Sequence, residues 1–373
     1  MKPHHSRPDW TGRLGSITSA VVDRALDALV VSNLVNIRYL TGFPGSAGLL
    51  LVGRRSTVLV VDGRYAGPVR SAIAQGEVAG VTVEVADGPF ARALGAIVGG
   101  AGMRHVGFEA ESVTVAALSS WQERTPGVEW LRTDRLVEEH RQLKDAYEVA
   151  VFRTAGRLLS DVARGLPGLV RGGLRELDIA RSIDRSIEAV GFSTPAFPTI
   201  VASGPHSAQP HARPTDRRLE PGDLVVLDFG GVLDGYCVDL TRMAAVGTVA
   251  PDAMRLFEAV RDAQAAALAA VRVGVPVGSV DTAARDVLAG RGLSDAFVHA
   301  TGHGLGLEVH EAPRIGRART TEPEPSLVEG MVCTIEPGAY VEGIGGARLE
   351  DDVLVTADGH EALTTAPTGL LIV

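Results

Sequence analysis

Cysteine is nearly absent from this chain, with two in 373 residues. Cys237 and Cys333 each fall inside an apolar, strand-like stretch, so they read as buried thiols of a reducing compartment and not as a disulfide framework. Positive charge is also in deficit. Lys and Arg number 36 against 45 Asp and Glu, a formal net charge of −9. No Lys/Arg run or interleaving of aromatic and basic residues offers a surface that could track phosphates, so no nucleic-acid partner is expected. No apolar run approaches the roughly 18 residues that suggest a membrane-spanning helix, and no membrane partner is expected either. Residues 1–20 are polar, are broken by Pro3, Pro8 and Gly12, and contain no apolar h-region of a secretory signal. The expected location is the cytoplasm. Low-complexity segments and tandem repeats with a period of about 20–50 residues are missing, which excludes a solenoid or an array.

What is there has the composition of an ordinary globular protein, 45% hydrophobic and 22% charged, and is long enough for two domains with a large core. Strand signals fall at 27–32, 46–52, 57–61, 81–85 and 105–108, with helical stretches at 65–75 and 90–98. This alternation predicts a compact α/β layer structure, with no visible chemistry of its own. A boundary is expected near 133–142, giving domains 1–135 and 136–373. Beyond it, Leu143, Tyr147, Val151, Leu158 and Val162 share one face of a long helix. Ile179, Ile183, Ile187 and Val190 form the stripe of a second, closed by Gly191. Pro251 and Asp252 open a third over 253–271, as first-turn residues should. Asp281 is expected to cap a fourth that runs through Ala289.

Strand pairs lie between these helices, and they carry most of the chemistry. Asp234-Gly235 is a hairpin turn signal, and Asp228 and Asp239 sit astride it, 11 residues apart. With the loop centred on 233/234 they face each other; centred on 234/235, Asp239 becomes the diagonal neighbour. Either parity puts both carboxylates on one face. Strand-like segments 331–336 and 348–355 flank a glycine-rich turn, and Glu336 and Glu350 straddle Gly343 symmetrically. His303 stands among Gly302, Gly304 and Gly306, which permit close backbone approach. Four carboxylates and one imidazole suit hard or borderline divalent cations. Their negative charge matches the positive charge of two such ions. Without cations, like charges would raise one another's pKa. Single residues of this kind are commonplace. Asp228-Phe229-Gly230 lacks the catalytic loop a kinase would place before it, and the glycines around His303 lack the dinucleotide spacing. The joint occurrence carries the argument.

The contexts Leu227-Asp228-Phe229-Gly230, Asp239-Leu240-Thr241-Arg242, Gly302-His303-Gly304, Ile335-Glu336-Pro337-Gly338 and Arg348-Leu349-Glu350-Asp351 resemble, in this order, the pita-bread metallopeptidase family of prolidase, aminopeptidase P and methionine aminopeptidase. The resemblance extends over about 143–364, with further agreement at Gly204-Pro205-His206-Ser207-Ala208-Gln209-Pro210-His211 and Val309-His310-Glu311-Ala312-Pro313-Arg314. The first half is similar to the creatinase/prolidase N-terminal domain, through Asn36-Ile37-Arg38-Tyr39-Leu40-Thr41-Gly42-Phe43 and Val61-Asp62-Gly63-Arg64-Tyr65. Methionine aminopeptidases normally lack that domain. The resemblance implies an α/β N-terminal domain followed by an α+β pita-bread catalytic domain. It implies two divalent metal ions, manganese before cobalt or zinc, with Asp228 on the first, His303 and Glu336 on the second, and Asp239 and Glu350 bridging. Glu336 would also handle a proton, and His211 and His310 would donate to the substrate oxygen. Arg314 would bind the carboxylate of a proline-containing peptide, and Arg348 would act beside the ligands at the substrate site. His206 is left without a role and is expected at the surface. The implied activity is hydrolysis of the Xaa-Pro bond, in dipeptides first and in longer peptides as the alternative, with an inert binding protein on the same fold as a third reading. A homodimer is implied as well.

Overall fold

The computed structural model describes residues 7–318 and 324–373. The chain divides into two compact units, with the division between Arg141 and Gln142.

The first unit is built on a mixed six-stranded sheet of β1 (Ala28–Val31), β2 (Leu49–Gly53), β3 (Thr57–Val61), β4 (Thr82–Val85), β5 (His105–Glu109) and β6 (Glu129–Thr133), in the order β4-β3-β2-β1-β5-β6. The continuous apolar runs of β1 and β2 are buried at every position, as central strands covered on both faces must be. Around the sheet run α1 (Trp10–Asp23), α2 (Leu34–Thr41), α3 (Ala66–Ala74), α4 (Phe90–Gly100), α5 (Val115–Arg124) and α6 (Leu136–Arg141). The polar look of residues 1–20 hides α1. Asp9 caps it by accepting from Gly12 N–H, and Ile17 and Val21 bury its inner face. Gly12 is no breaker there, because a Cβ would press against the Asp9 carboxylate. The division lies at the far end of the 133–142 stretch where the sequence places a boundary. The reason is α6: Asn36 Nδ2 donates to Glu138 at 2.6 Å, and Arg141 donates back to Asn36 Oδ1 at 2.7 Å.

The second unit packs α7 (Ala146–Leu169) and α8 (Glu176–Ala189), then α9 (Pro251–Ala270) and α10 (Val277–Gly290), around two sheets. One sheet contains β7 (Thr194–Pro195), β9 (Leu224–Leu233), β10 (Tyr236–Ala245) and β18 (Leu371–Ile372), with β8 (Ile200–Ser203) also paired to β9. The other runs β12-β11-β13-β16-β17, from β11 (Gly302–Gly304), β12 (Glu311–Ile315), β13 (Val332–Ile335), β16 (Asp351–Thr356) and β17 (Gly359–Ala362). A separate two-stranded ribbon pairs β14 (Gly338–Val341) with β15 (Gly345–Arg348). A capping box of Asp145 and Glu148 starts α7, whose Val151, Phe152 and Leu159 join Ile179 and Ile183 of α8 and Leu227 and Phe229 of β9 in one core cluster. The α/β plus α+β architecture expected from sequence is therefore present. Asp281 is not the cap it was expected to be. Pro276 holds the extended position before α10, and Asp281 lies buried inside the helix, accepting from the Thr301 hydroxyl at 2.8 Å and pairing with Arg285. Among the described residues no helix is long and apolar enough to cross a membrane.

Candidate metal centre

The hairpin of β9 and β10 turns on two residues. Asp234 and Gly235 both have positive φ, at 49° and 93°, the conformation of a type I′ turn. Leu233 pairs with Tyr236, so the loop is centred on 234/235. Asp239 then faces Gly230 and Asp228 faces Thr241, which makes the two aspartates diagonal neighbours on one face. Only 8% of Asp228 and 5% of Asp239 is exposed.

The second pair arises differently. Ile335 pairs with Asp351 in the β13/β16 ladder, and Gly338 with Arg348 in the β14/β15 ladder. One register runs through both, and Glu336 and Glu350 occupy the gap between them. There the backbone is released from strand pairing, and Glu336 N–H is taken instead by Thr301 O at 2.7 Å. The His303 backbone N–H donates to Thr334 Oγ1 at 3.2 Å. A Cβ on Gly302 would collide with the Thr334 carbonyl, so glycine is required for β11 to come this close.

All five side chains meet in the interior. Ligand atoms of Asp239, His303 and Glu350 lie within 4.8 Å of one another. His303 Nε2 is 3.3 Å from Glu336 Oε1. Thr241 Oγ1 donates to Glu350 Oε2 at 2.7 Å, and Arg348 Nη2 donates to Asp228 Oδ2. Burial, joined by mutual repulsion, pushes the Asp239 and Glu350 carboxyls well above the usual carboxylate range, and burial carries Glu336 up to about 7. Burial also lowers the pKa of His303 and so favours its neutral, ligating form. Asp228 Oδ1 and Glu350 Oε1 are buried with no hydrogen-bond partner among the described residues. Crowded carboxylates, a neutral imidazole and orphaned oxygens are a donor set that fits divalent cations.

Of the remaining sequence candidates, Arg348 bonds the cluster directly and His310 lies against His303. The His310 ring lies 4.4 Å from that of His303, centroid to centroid, and is exposed. Partial desolvation of its ring, and then the neighbouring His303, lowers its pKa. His211 is exposed and lies near enough to Glu336, His299 and His310 to interact with them electrostatically. Arg314 faces His303 across the β11/β12 ladder and lines a cleft of about 370 Å³ with His299, Phe297 and Arg317. Arg348, by contrast, is buried. Its guanidinium bonds Asp228, Tyr340 Oη at 2.6 Å, Pro210 O at 3.0 Å and Thr241 Oγ1 at 3.3 Å. His206 is not a bare surface histidine. Its Nδ1 is 3.1 Å from both oxygens of the buried Glu176.

Two groups escaped the sequence reading. Asp352 is fully buried, accepts the Asp239 N–H at 3.0 Å, and has its carboxyl pushed well above the usual range by burial. Its signal was present, since the strand-like sequence 348–355 puts it two residues after Glu350 and so at the same parity. Tyr340 and His299 back Arg348. The arginine can only donate, so the Tyr340 hydroxyl accepts from it and donates to His299 Nε2 at 3.0 Å. His299 Nδ1–H then donates to Ala300 O at 2.8 Å. Burial takes Tyr340 up to about 12 and His299 down to about 4. No local motif marks either residue.

A buried carboxylate–imidazole cluster delivered by two sheets is the centre of a metal-dependent hydrolase. The chain belongs to metallopeptidase family M24, whose model matches residues 150–357, and it carries a creatinase/prolidase N-terminal domain matched over residues 13–143. That membership implies divalent metal ions. Among its relatives is an uncharacterised peptidase of Bacillus subtilis, YqhT, 33% identical over 93% of this chain and 96% of that protein. A solved Xaa-Pro dipeptidase from Bacillus anthracis superposes with a TM-score of 0.92 at 30% identity, covering 98% of this chain and all of the other. An X-Pro aminopeptidase from Thermotoga maritima superposes at 0.84, also at 30% identity, with coverage of 94% and 98%.

Proposed function

We propose that the protein hydrolyses the Xaa-Pro peptide bond, with Xaa-Pro dipeptides as its preferred substrates. The observation that carries this reading is the cluster of buried carboxylates with two partnerless oxygens beside a neutral imidazole. Asp228, Asp239, His303, Glu336 and Glu350 would hold two divalent ions. Oxygen-rich ligation favours manganese, with cobalt or zinc as substitutes. When bound, the ions supply Lewis acidity that polarises a carbonyl and eases the deprotonation of water.

The chain's own groups do the rest. Glu336 accepts the proton of the attacking water and passes it to the leaving imino nitrogen as the C–N bond breaks. His310, whose ring lies tilted beside that of His303, and His211 donate to the carbonyl oxygen as it becomes an oxyanion. Arg348 touches no solvent to speak of and serves by fixing Asp228. Arg314, exposed in its cleft, takes the carboxylate that follows proline in a dipeptide. That clamp favours the dipeptidase. The similarity to the Thermotoga aminopeptidase supports a second reading, action on longer peptides with the cleft open beyond proline. A cytoplasmic homodimer completes the proposal.

The test is proline release by Mn²⁺-loaded protein from a Xaa-Pro dipeptide and release of the N-terminal residue from a Xaa-Pro-Xaa tripeptide, with Asp239→Ala as control. Turnover of the dipeptide alone is expected. Preference for the tripeptide selects the aminopeptidase reading, and metal-dependent hydrolysis of neither overturns both.

A further inference from the structure

The assignment of Asp239 as a ligand rests on the function proposed above, and the structure shows what holds that residue in place. β10 pairs with β9 along one edge. Its other edge meets β18 only at Ala244 and Ala245. Backbone groups of alternate residues project from that open edge, and at Cys237, Asp239 and Thr241 a third strand would normally satisfy them. None runs there. Cys237 N–H donates to Gly306 O at 2.8 Å. Thr241 O accepts from Glu350 N–H at 3.3 Å. Between these two backbone contacts, Asp239 N–H donates to a side chain, Asp352 Oδ2, at 3.0 Å.

A carboxylate thus stands in for a strand carbonyl at the one position where the strand carries a ligand. The substitution has a geometric reason. A passing backbone would fill the space beside Asp239, whereas a single side chain reaching across from β16 leaves its carboxylate open to the cluster. Asp352 is itself pinned, since its backbone N–H donates to Thr364 Oγ1 at 3.0 Å and its carbonyl accepts from Leu363 N–H at 2.8 Å. Its strand also carries Asp351, whose carboxylate is paired with Arg242 of β10. The Asp352 contact therefore ties the sheet that carries Asp228 and Asp239 to the sheet that carries His303, directly at the ligand.

We infer that Asp352 is a positioning residue for cation binding, acting through the hydrogen bond its side-chain oxygen accepts from the Asp239 backbone. What matters is an acceptor at that point, so asparagine should serve and alanine should not. Loss of an outer-sphere contact to a ligand ordinarily costs about 10- to 100-fold in metal affinity.

The experiment titrates Mn²⁺ into metal-free wild-type protein, Asp352→Ala and Asp352→Asn, read by calorimetry and by the electron paramagnetic resonance of free Mn²⁺. Thermal melts verify that each variant is folded. Asp352→Ser, too short to reach Asp239, replaces the alanine variant if that one does not fold. The expected result is a loss of at least about 10-fold in affinity for the alanine or serine variant, with the asparagine variant within a few-fold of wild type. Wild-type affinity in the alanine or serine variant overturns the inference. So does an asparagine variant as weak as alanine, which would make the charge and not the acceptor the operative feature. If wild-type protein binds no Mn²⁺ and Asp239→Ala changes nothing, the ligand assignment itself falls, which is a different and distinguishable failure.

Discussion

Glu336 offers a sharp test of the electrostatics, because replacing it by glutamine should stabilise the metal-free protein in a pH-dependent way. Its carboxyl is carried from 4.5 to about 7, chiefly by burial. A carboxyl raised on folding holds its proton in the native state after the unfolded chain has released it. The native state therefore loses stability as pH rises from the unfolded value through the folded one, a window of 4.5 to about 7. Integrating one such group between about pH 5.5 and 8 gives a loss of about 2 kcal/mol. Glutamine is neutral throughout and escapes that loss. In chelator, the stability of Glu336→Gln relative to wild type should thus rise by about 2 kcal/mol over this interval, as read from urea midpoints at both pH values. The comparison is a difference for good reason. His299 is lowered to about 4, so its own contribution runs the opposite way, being lost as pH falls, but it is common to both proteins. Saturating Mn²⁺ should invert the ranking, since only the wild type then gains the full binding free energy. A difference that stays flat or shrinks between pH 5.5 and 8 in chelator would refute the reasoning.

Arg348→Ala should lower metal affinity or activity by about 10- to 100-fold, and Arg348→Lys should recover little of it, because an ammonium cannot reproduce a planar fork that meets four acceptors; proline-release kinetics on both variants check this. Arg314→Met should raise KM for a Xaa-Pro dipeptide by about 10-fold or more while leaving a tripeptide nearly unaffected, and equal effects on both substrates would remove Arg314 from the carboxylate clamp. Gly302→Ala should cost about 2 kcal/mol or more, seen as a lowered melting temperature, because its Cβ meets the immovable Thr334 carbonyl.

The two carboxylate pairs were legible because pairing parity depends only on where a turn is centred. Asp234-Gly235 restricts the first hairpin to neighbouring registers of the same outcome, and Gly343 centres the second, whose register does run through that point. Where a residue's role depends on a partner far along the chain, the sequence is silent. Arg348 finds Thr241, Asp228 and Pro210 at separations of 107, 120 and 138 residues. Its burial follows from those contacts and from no local pattern. Asp281 was misread for the same reason. An aspartate before a helical stripe looks like a cap, but its distant partner Thr301 draws it inside. His206 likewise gains its carboxylate partner from α8, 30 residues away. The start of α1 is hidden by a local effect, since Gly12 looks like a breaker until the Asp9 side chain caps its N–H.

The same buried charge that makes the centre useful works against the fold that carries it. Asp239, Glu336, Glu350 and Asp352 are all driven above their ordinary pKa values, and Arg348 brings a permanent positive charge into direct contact with a ligand carboxylate. In the metal-free protein, protons must relieve the repulsion; in the loaded protein, cations do. Cation uptake should accordingly release protons near neutral pH, more of them at pH 6.5 than at pH 8, because fewer carboxyls remain protonated at the higher value. Calorimetry of Mn²⁺ binding in two buffers of different ionisation enthalpy counts those protons. A release that is absent, or that grows with pH, would mean that the carboxylates are already ionised in the empty site, and that charge within the fold other than Arg348 compensates them.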